Sequence, residues 1–256
     1  MNLNGFVIGT IVSLVLIYAT AQGQDIATDR PDQANTPELV PRGALQIETG
    51  FMIENDITAG HRCINYSYNN SLFRFGVNEN FEARLALGYL GLKRVDDDLS
   101  LQKGFAPVAV GVKIKLIEPH NFWPQTSLLS TITLKTGAQE FQAPFTYNDL
   151  TLALMRSFGS KFSVTLNGGI KWNGNSPEAQ WLYAFSVAYT VTNELTLFIE
   201  SYGFIPEAHR ADHRADAGIT YLLSSRVQVD VACGLSISRN SEKNFVSSGV
   251  SVRLFR

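Results

Sequence analysis

The sequence predicts an all-β protein: a transmembrane, antiparallel, up-and-down β-barrel of about 12 strands over residues 44–256. Three observations predict it. From Ala44 to Phe255, segments of about ten residues alternate apolar with polar side chains, the period of a strand whose two faces meet different surroundings. The connections alternate too. Those after even-numbered segments are mostly tight (Asn78-Glu79-Asn80, Gly159-Ser160, Thr192-Asn193, Ser224-Ser225), whereas those after odd-numbered segments are longer, around 55–62, 93–104, 138–147, 173–179 and 206–212. Aromatic residues gather near the segment ends, as in the two girdles of a membrane barrel.

Taken in order, each segment shows one apolar face. Strand one offers Leu45, Ile47, Phe51 and Ile53; strand two, Phe73 and Phe75; strand three, Phe81, Ala83, Leu85, Leu87 and Tyr89. Strand four offers Val108, Val110, Val112, Ile114 and Leu116; strand five, Leu128, Ile132 and Leu134; strand six, Leu150, Leu152 and Leu154. Strand seven has Phe162, Val164, Leu166 and Ile170; strand eight, Trp181, Tyr183, Phe185, Val187 and Tyr189; strand nine, Leu195, Leu197 and Ile199. The last three carry Ile219, Tyr221 and Leu223; Val227, Val229, Val231 and Leu235; and Val250, Val252 and Leu254. Lipid contact explains aliphatic and aromatic residues at these positions. Phe75, Phe81, Phe162, Tyr189 and Tyr221 then fall at the periplasmic rim, with Phe51, Tyr89, Trp172 and Trp181 at the outer rim. A secreted two-sheet sandwich would alternate as well; strand length, loop asymmetry and the girdles favour the barrel.

Composition agrees. The chain is 45% hydrophobic with a mean hydropathy of +0.01, as expected when only alternate residues meet lipid. A formal charge of −2 gives no reason to expect nucleic acid. Residues 1–21 read as a signal peptide: an apolar run from Phe6 to Ala19 precedes the small residues Ala19-Thr20-Ala21, although Met1 to Gly5 contains no Lys or Arg. Residues 22–43 are polar, with Pro31, Pro37 and Pro41, and read either as a periplasmic tail or as a segment folded into the mouth of the lumen, where Asp29, Arg30 and Asp32 would pair with wall charges. Cys63 and Cys233 should sit on separated strands and stay free.

No catalytic set, cofactor site or metal site is expected. Glu207, His209 and His213 have helix-like spacing, but Pro206 and the adjoining strand signals place them in a solvated loop. No histidine falls within a predicted strand, so a Ser-His-Asp arrangement is not expected.

The inward charges are more informative. Arg74, Arg84, Lys113, Lys115, Lys135 and Lys171 fall on predicted strands two to seven. Glu48, Glu200, Asp216 and Asp230 fall on the arc from strand nine round to strand one, with Glu82 and Arg253 as exceptions. Charges in a dry interior need water or one another. Two lumens satisfy that: a hydrated channel with facing basic and acidic walls, or a salt-bridged plug with Arg253 between Asp230 and Glu48 and Arg74 beside Glu82. A narrow, partly plugged channel is the expected form.

The N-terminal motif Thr28-Asp29-Arg30-Pro31-Asp32-Gln33 and the stretch Val40-Pro41-Arg42-Gly43-Ala44-Leu45-Gln46-Ile47-Glu48-Thr49-Gly50-Phe51 resemble the MetA-pathway phenol-degradation family of outer-membrane proteins, often labelled transporters. Matching stretches continue through Leu72 to Val77, Glu200-Ser201-Tyr202-Gly203, Asp216 to Leu222 and Gly249 to Leu254. The chain departs from the pattern at Lys135 within Leu134-Lys135-Thr136-Gly137, and at its end, where Leu254 rather than an aromatic residue is in register with the outward face. The resemblance implies a Gram-negative outer-membrane location, contact with outer-membrane lipid, and help from the barrel-assembly machinery during biogenesis. The expected function is passive passage of a small solute, hydrophobic or aromatic solutes included. The alternative is a closed structural or interaction barrel.

Overall fold

A computed structural model describes residues 25–31, 33–58, 61–95, 101–207, 211–238 and 243–255. The predicted signal peptide and Asp32 of the N-terminal motif lie outside the described residues. The strands are β1 (Leu45–Thr58), β2 (His61–Asn78), β3 (Phe81–Arg94), β4 (Gln102–Phe105), β5 (Ala109–Ile117), β6 (Gln125–Thr133), β7 (Tyr147–Phe158), β8 (Phe162–Lys171), β9 (Gln180–Thr190), β10 (Leu195–Pro206), β11 (Asp212–Ser224), β12 (Val227–Ser236) and β13 (Asn244–Leu254). Consecutive strands pair antiparallel, except that β4 and β5 both pair with β3, and β13 returns to pair with β1 from Leu45↔Leu254 to Asn55↔Asn244. The sheet therefore closes on itself.

The barrel has twelve staves because β4 and β5 are two parts of one. Residues Tyr89 to Leu92 of β3 pair with β4, and Phe81 to Ala86 pair with β5. Across the interruption, the Ala106 amide donates to the Gly88 carbonyl (2.9 Å) and the Val108 amide to the Thr136 hydroxyl (2.9 Å). A single predicted strand four is thus corrected to a broken one.

Burial is the reverse of a water-soluble protein's. Ile199 is 65% exposed and Val231 54%, whereas the neighbouring Glu200 and Asp230 are 4% and 3% exposed. Adjacent strand residues point to opposite faces, so the apolar set faces outward and the charged set faces a filled interior. A two-sheet sandwich would bury the apolar set instead. Cys63 and Cys233 are free thiols.

Two boundaries differ from the sequence reading. The predicted first loop at 55–62 is mostly ladder: β1 and β2 stay paired out to Thr58↔His61. Apolar alternation fades there beyond Ile57, but backbone pairing needs no apolar face. Conversely, β6 stops at Thr133. The Thr136 amide bonds the Leu134 carbonyl (2.8 Å) and Gly137 adopts φ +87°, so the chain turns away before Lys135 can join a wall.

Candidate functional site

The chain's own N-terminal segment fills the half of the lumen nearest the tight turns. It reaches β1 through a sharp turn at Gly43 (φ +76°), where the Gly43 amide donates to the Gly76 carbonyl (2.7 Å) and the Gly76 amide to the Ala44 carbonyl (3.1 Å). At Gly76 a Cβ would lie 2.2 Å from the Pro41 carbonyl oxygen, so only glycine admits this approach.

Inside, the adjoining residues Asp29 and Arg30 reach different walls. Asp29 turns to the basic wall. Its carboxylate accepts from Arg84 Nη1 (2.6 Å) and Lys113 Nζ (3.1 and 3.2 Å), with Arg74 Nη1 at 3.6 Å. Burial alone would raise the Asp29 carboxyl, but Arg74, Lys113 and Arg84 overcome that and hold it well below the usual carboxylate range. Arg30 turns to the acidic wall, donating from Nη2 and Nε to the two oxygens of Asp230 (3.0 and 3.3 Å). Its guanidinium lies over the cross-strand pair Gly50↔Gly249, where a Cβ on either glycine would fall 2.4 Å from it.

Arg74 is the centre of the basic side. Wholly buried, it bonds Glu48 (2.7 Å), both oxygens of Glu82 (2.9 and 3.0 Å), and the Ala27 and Glu38 carbonyls (3.1 and 2.9 Å). A desolvated guanidinium is held only by partners at this density. Glu48 also accepts from the Asp29 amide (3.0 Å) and Gln46 (2.7 Å), and Glu82 from the Val40 amide (2.9 Å). Lys113 adds the Thr36 carbonyl (2.7 Å).

Farther round, Glu200 accepts the Gln33 and Ala34 amides (2.9 and 2.8 Å). Asn167 clasps Asn35 with two bonds (2.6 and 3.0 Å), and Gln228 donates to Thr28 (2.8 Å). With the Ser127 hydroxyl donating to the Pro37 carbonyl and the Thr36 hydroxyl to the Met155 sulfur, the segment is fastened to β1, β2, β3, β5, β6, β7, β8, β10 and β12. Of the two readings of residues 22–43, the described part is the lumen segment, not the tail.

The predicted walls are placed unevenly. Arg74, Arg84, Lys113, Glu48, Glu82, Glu200 and Asp230 join the plug. Lys115 does not: at the turn end it pairs with the exposed Glu118 (2.6 Å). Lys135 is exposed beyond β6. Arg253 donates to the Ser225 carbonyl (3.2 Å) beside the β11–β12 turn. Asp216 lies directly across from Glu200 with both carboxylate oxygens buried and without a hydrogen-bond partner among the described residues. Facing basic and acidic walls are therefore not separated by water over this height; Asp29 and Arg30 bridge them. Sequence reasoning missed Gly50 and Gly249, although glycines inside two strand patterns signal a close approach.

The other half of the lumen keeps a cavity of about 220 Å³ above the plug. The plug's Gln33 and Asn35 line it from the N-terminal segment, with polar wall residues Thr131, Thr151 and Asn167 and apolar wall residues Leu129, Leu182, Tyr202 and Phe204. Lys171 and Asp149, cross-strand partners at the ends of β8 and β7, also line it. His213 does not stand free for metal: its Nδ1 is 2.8 Å from the Tyr183 hydroxyl, and His209 lies outside the described residues. A second cavity, about 810 Å³, opens on the outward face at the β4–β5 interruption, lined mainly by apolar residues such as Phe73, Leu87, Tyr89, Phe105 and Val108.

Solved structures share this architecture. An outer membrane channel from Pseudomonas putida F1 is 14% identical and superposes with a TM-score of 0.66 over 88% of this chain and 100% of that one. The translocator domain of the autotransporter NalP from Neisseria meningitidis is 11% identical (TM-score 0.57; 84% and 90% covered). A deltaS2S3 mutant of the monoaromatic hydrocarbon channel TodX is 10% identical (TM-score 0.51; 93% and 98% covered). At such identities the likeness establishes the fold, which serves different functions in these proteins. No curated protein sequence matches the chain. A family model does, over residues 28–254, a span that includes the plug motif as well as every strand. The chain therefore belongs to the family described as "Putative MetA-pathway of phenol degradation".

Proposed function

We propose that the protein is an outer-membrane channel for passive entry of a small solute, aromatic or otherwise hydrophobic solutes included. The observation that carries this reading is the cavity between the long loops and the plug, lined by both polar and apolar side chains. Such a mixed recess suits binding sites for small organic molecules, and a barrel serving only as scaffold has no need of it. The plug is joined to the wall by hydrogen bonds and ion pairs, contacts that can exchange for water. Two structural relatives are channels, one of them a monoaromatic hydrocarbon channel, and this agrees with the reading.

The wall-to-wall fastening of the plug favours the second reading, a closed structural barrel. Planar-bilayer recordings and vesicle uptake of toluene by the purified chain distinguish the two. Conductance steps or uptake above protein-free vesicles support the channel; absence of both leaves the closed barrel. No enzymatic role is proposed. Fractionation of the cell envelope tests the location, with recovery in outer membranes expected and recovery as a soluble periplasmic protein overturning it. N-terminal sequencing of that material tests removal of residues 1–21.

A further inference from the structure

The geometry points to a charge-selective subsite in the cavity above the plug, taking a single-ring aromatic carboxylate with Lys171 as its anion anchor. The inference rests on the channel reading and adds the solute's charge class to it.

Three features of the cavity define the ligand. Its size comes first. At about 220 Å³ it exceeds the roughly 150 Å³ that holds benzene, leaving room for one ring with one small substituent. Its apolar residues come next: Tyr202 and Phe204 offer ring surfaces and Leu182 an aliphatic one, which suits stacking or edge contact with a flat solute.

Charge decides the substituent. Two cations and one anion line the cavity: Arg84, Lys171 and Asp149. Arg84 is already engaged by Asp29 at 2.6 Å and Glu82 at 3.3 Å. Asp149 accepts a hydrogen bond from Thr131 and lies near enough to Lys171 to feel its charge. Lys171 itself is in no ion pair among the described residues; its ammonium sits 5.7 Å from the Phe204 ring centroid. An ammonium has three donors and a ring face uses them poorly. A carboxylate carried by a ring lying along Phe204 would supply the missing acceptor at the place where the ring is held. An amine would meet the same Lys171 as a like charge and find Asp149 already bonded.

The test is calorimetric binding to the full chain in detergent, using benzoate, benzylamine, cyclohexanecarboxylate and toluene. Benzoate is expected to bind about tenfold more tightly than benzylamine, the increment of one charged hydrogen bond, and more tightly than cyclohexanecarboxylate. Lys171→Gln should weaken benzoate about tenfold and leave toluene within about twofold, while Lys171→Arg should retain most of the affinity. Retarded migration on heating serves as the folding control, and the wild-type ligand series stands without any variant.

Equal binding of benzoate and benzylamine, a preference for benzylamine, or unchanged benzoate affinity in folded Lys171→Gln would overturn the subsite. Toluene uptake into vesicles without any benzoate preference would remove only this subsite; no uptake and no binding would remove the channel reading with it.

Discussion

Arg30 and Asp230 are 200 residues apart in sequence, yet the guanidinium of one spans both carboxylate oxygens of the other, at 3.0 and 3.3 Å, across the lumen floor. The contact is possible because Gly50 and Gly249, paired across β1 and β13, leave a flat patch of wall beneath the guanidinium. A bidentate charged pair of this kind fixes orientation as well as energy. It makes the plug's register a property of four residues from three distant stretches of chain.

Gly249→Val should therefore dislodge Arg30 without touching any charge. The new side chain would fill the space the guanidinium occupies, and the Asp230 pair would open. We expect larger or more frequent conductance steps than in the parent protein, with the barrel still resisting detergent before heating. Unchanged conductance, with protease resistance of the N-terminal segment preserved, would show that the plug does not depend on this contact.

Arg74 makes a second test. Replacing it by Met takes from Glu48 and Glu82 their short guanidinium bonds in a buried interior, leaving Arg84 and Lys113 to hold Asp29, and a cost of about 3–5 kcal/mol is expected. Lys115→Glu, by contrast, changes an exposed-end pair with Glu118 and should cost about 1 kcal/mol or less. Urea midpoints of the two variants in detergent measure the difference. Equal midpoints would contradict the partition of the predicted basic wall into plug-bound and rim residues.

Acid should act on the plug through Asp29. Its folded-state carboxyl is held below the usual range, so its stabilisation is full above the unfolded value of about 3.9 and declines as pH falls below it. Asp29→Asn should accordingly lower the unfolding midpoint at pH 7, and the gap to the parent should narrow below about pH 4. Glu38 runs the other way. Burial raises its carboxyl, only partly offset by Arg74 and Lys113, so its contribution is most favourable below about pH 4.3 and is lost as pH rises through the raised range. Glu38→Gln keeps the backbone carbonyl that Arg74 and Lys113 use and should raise the midpoint at neutral pH. Midpoints measured from pH 3 to 8 decide both.

The two faces of β12 give a fourth prediction. Val231→Arg places a charge toward lipid near the barrel's mid-height and should cost about 2–4 kcal/mol. Alternation alone suggests that Ala232, facing inward, would tolerate arginine better. The structure overturns that, because Ala232 is buried against Phe198 and Phe245 inside the barrel. Both variants should therefore be destabilised. An Ala232→Arg protein with a normal midpoint would mean that the interior at this height is hydrated.

Strand identity, facing and closure were legible because a period of two is written locally: Ile199 beside Glu200 and Val231 beside Asp230 announce lipid on one side and a filled interior on the other. Even there, the laddering that continues past Ile57 to the pair Thr58↔His61 and the interruption between β4 and β5 were not visible, since pairing at those places depends on backbone partners rather than on pattern. The sequence also determined that charges of both signs must meet inside. Which ones meet was decided by the tertiary structure alone. The N-terminal segment has no periodicity to place it, its partners lie on nine different strands, and the choice between tail and plug depends on whether Asp29 and Arg30 find complementary walls at one height. That complementarity exists only once the barrel has closed and set its register.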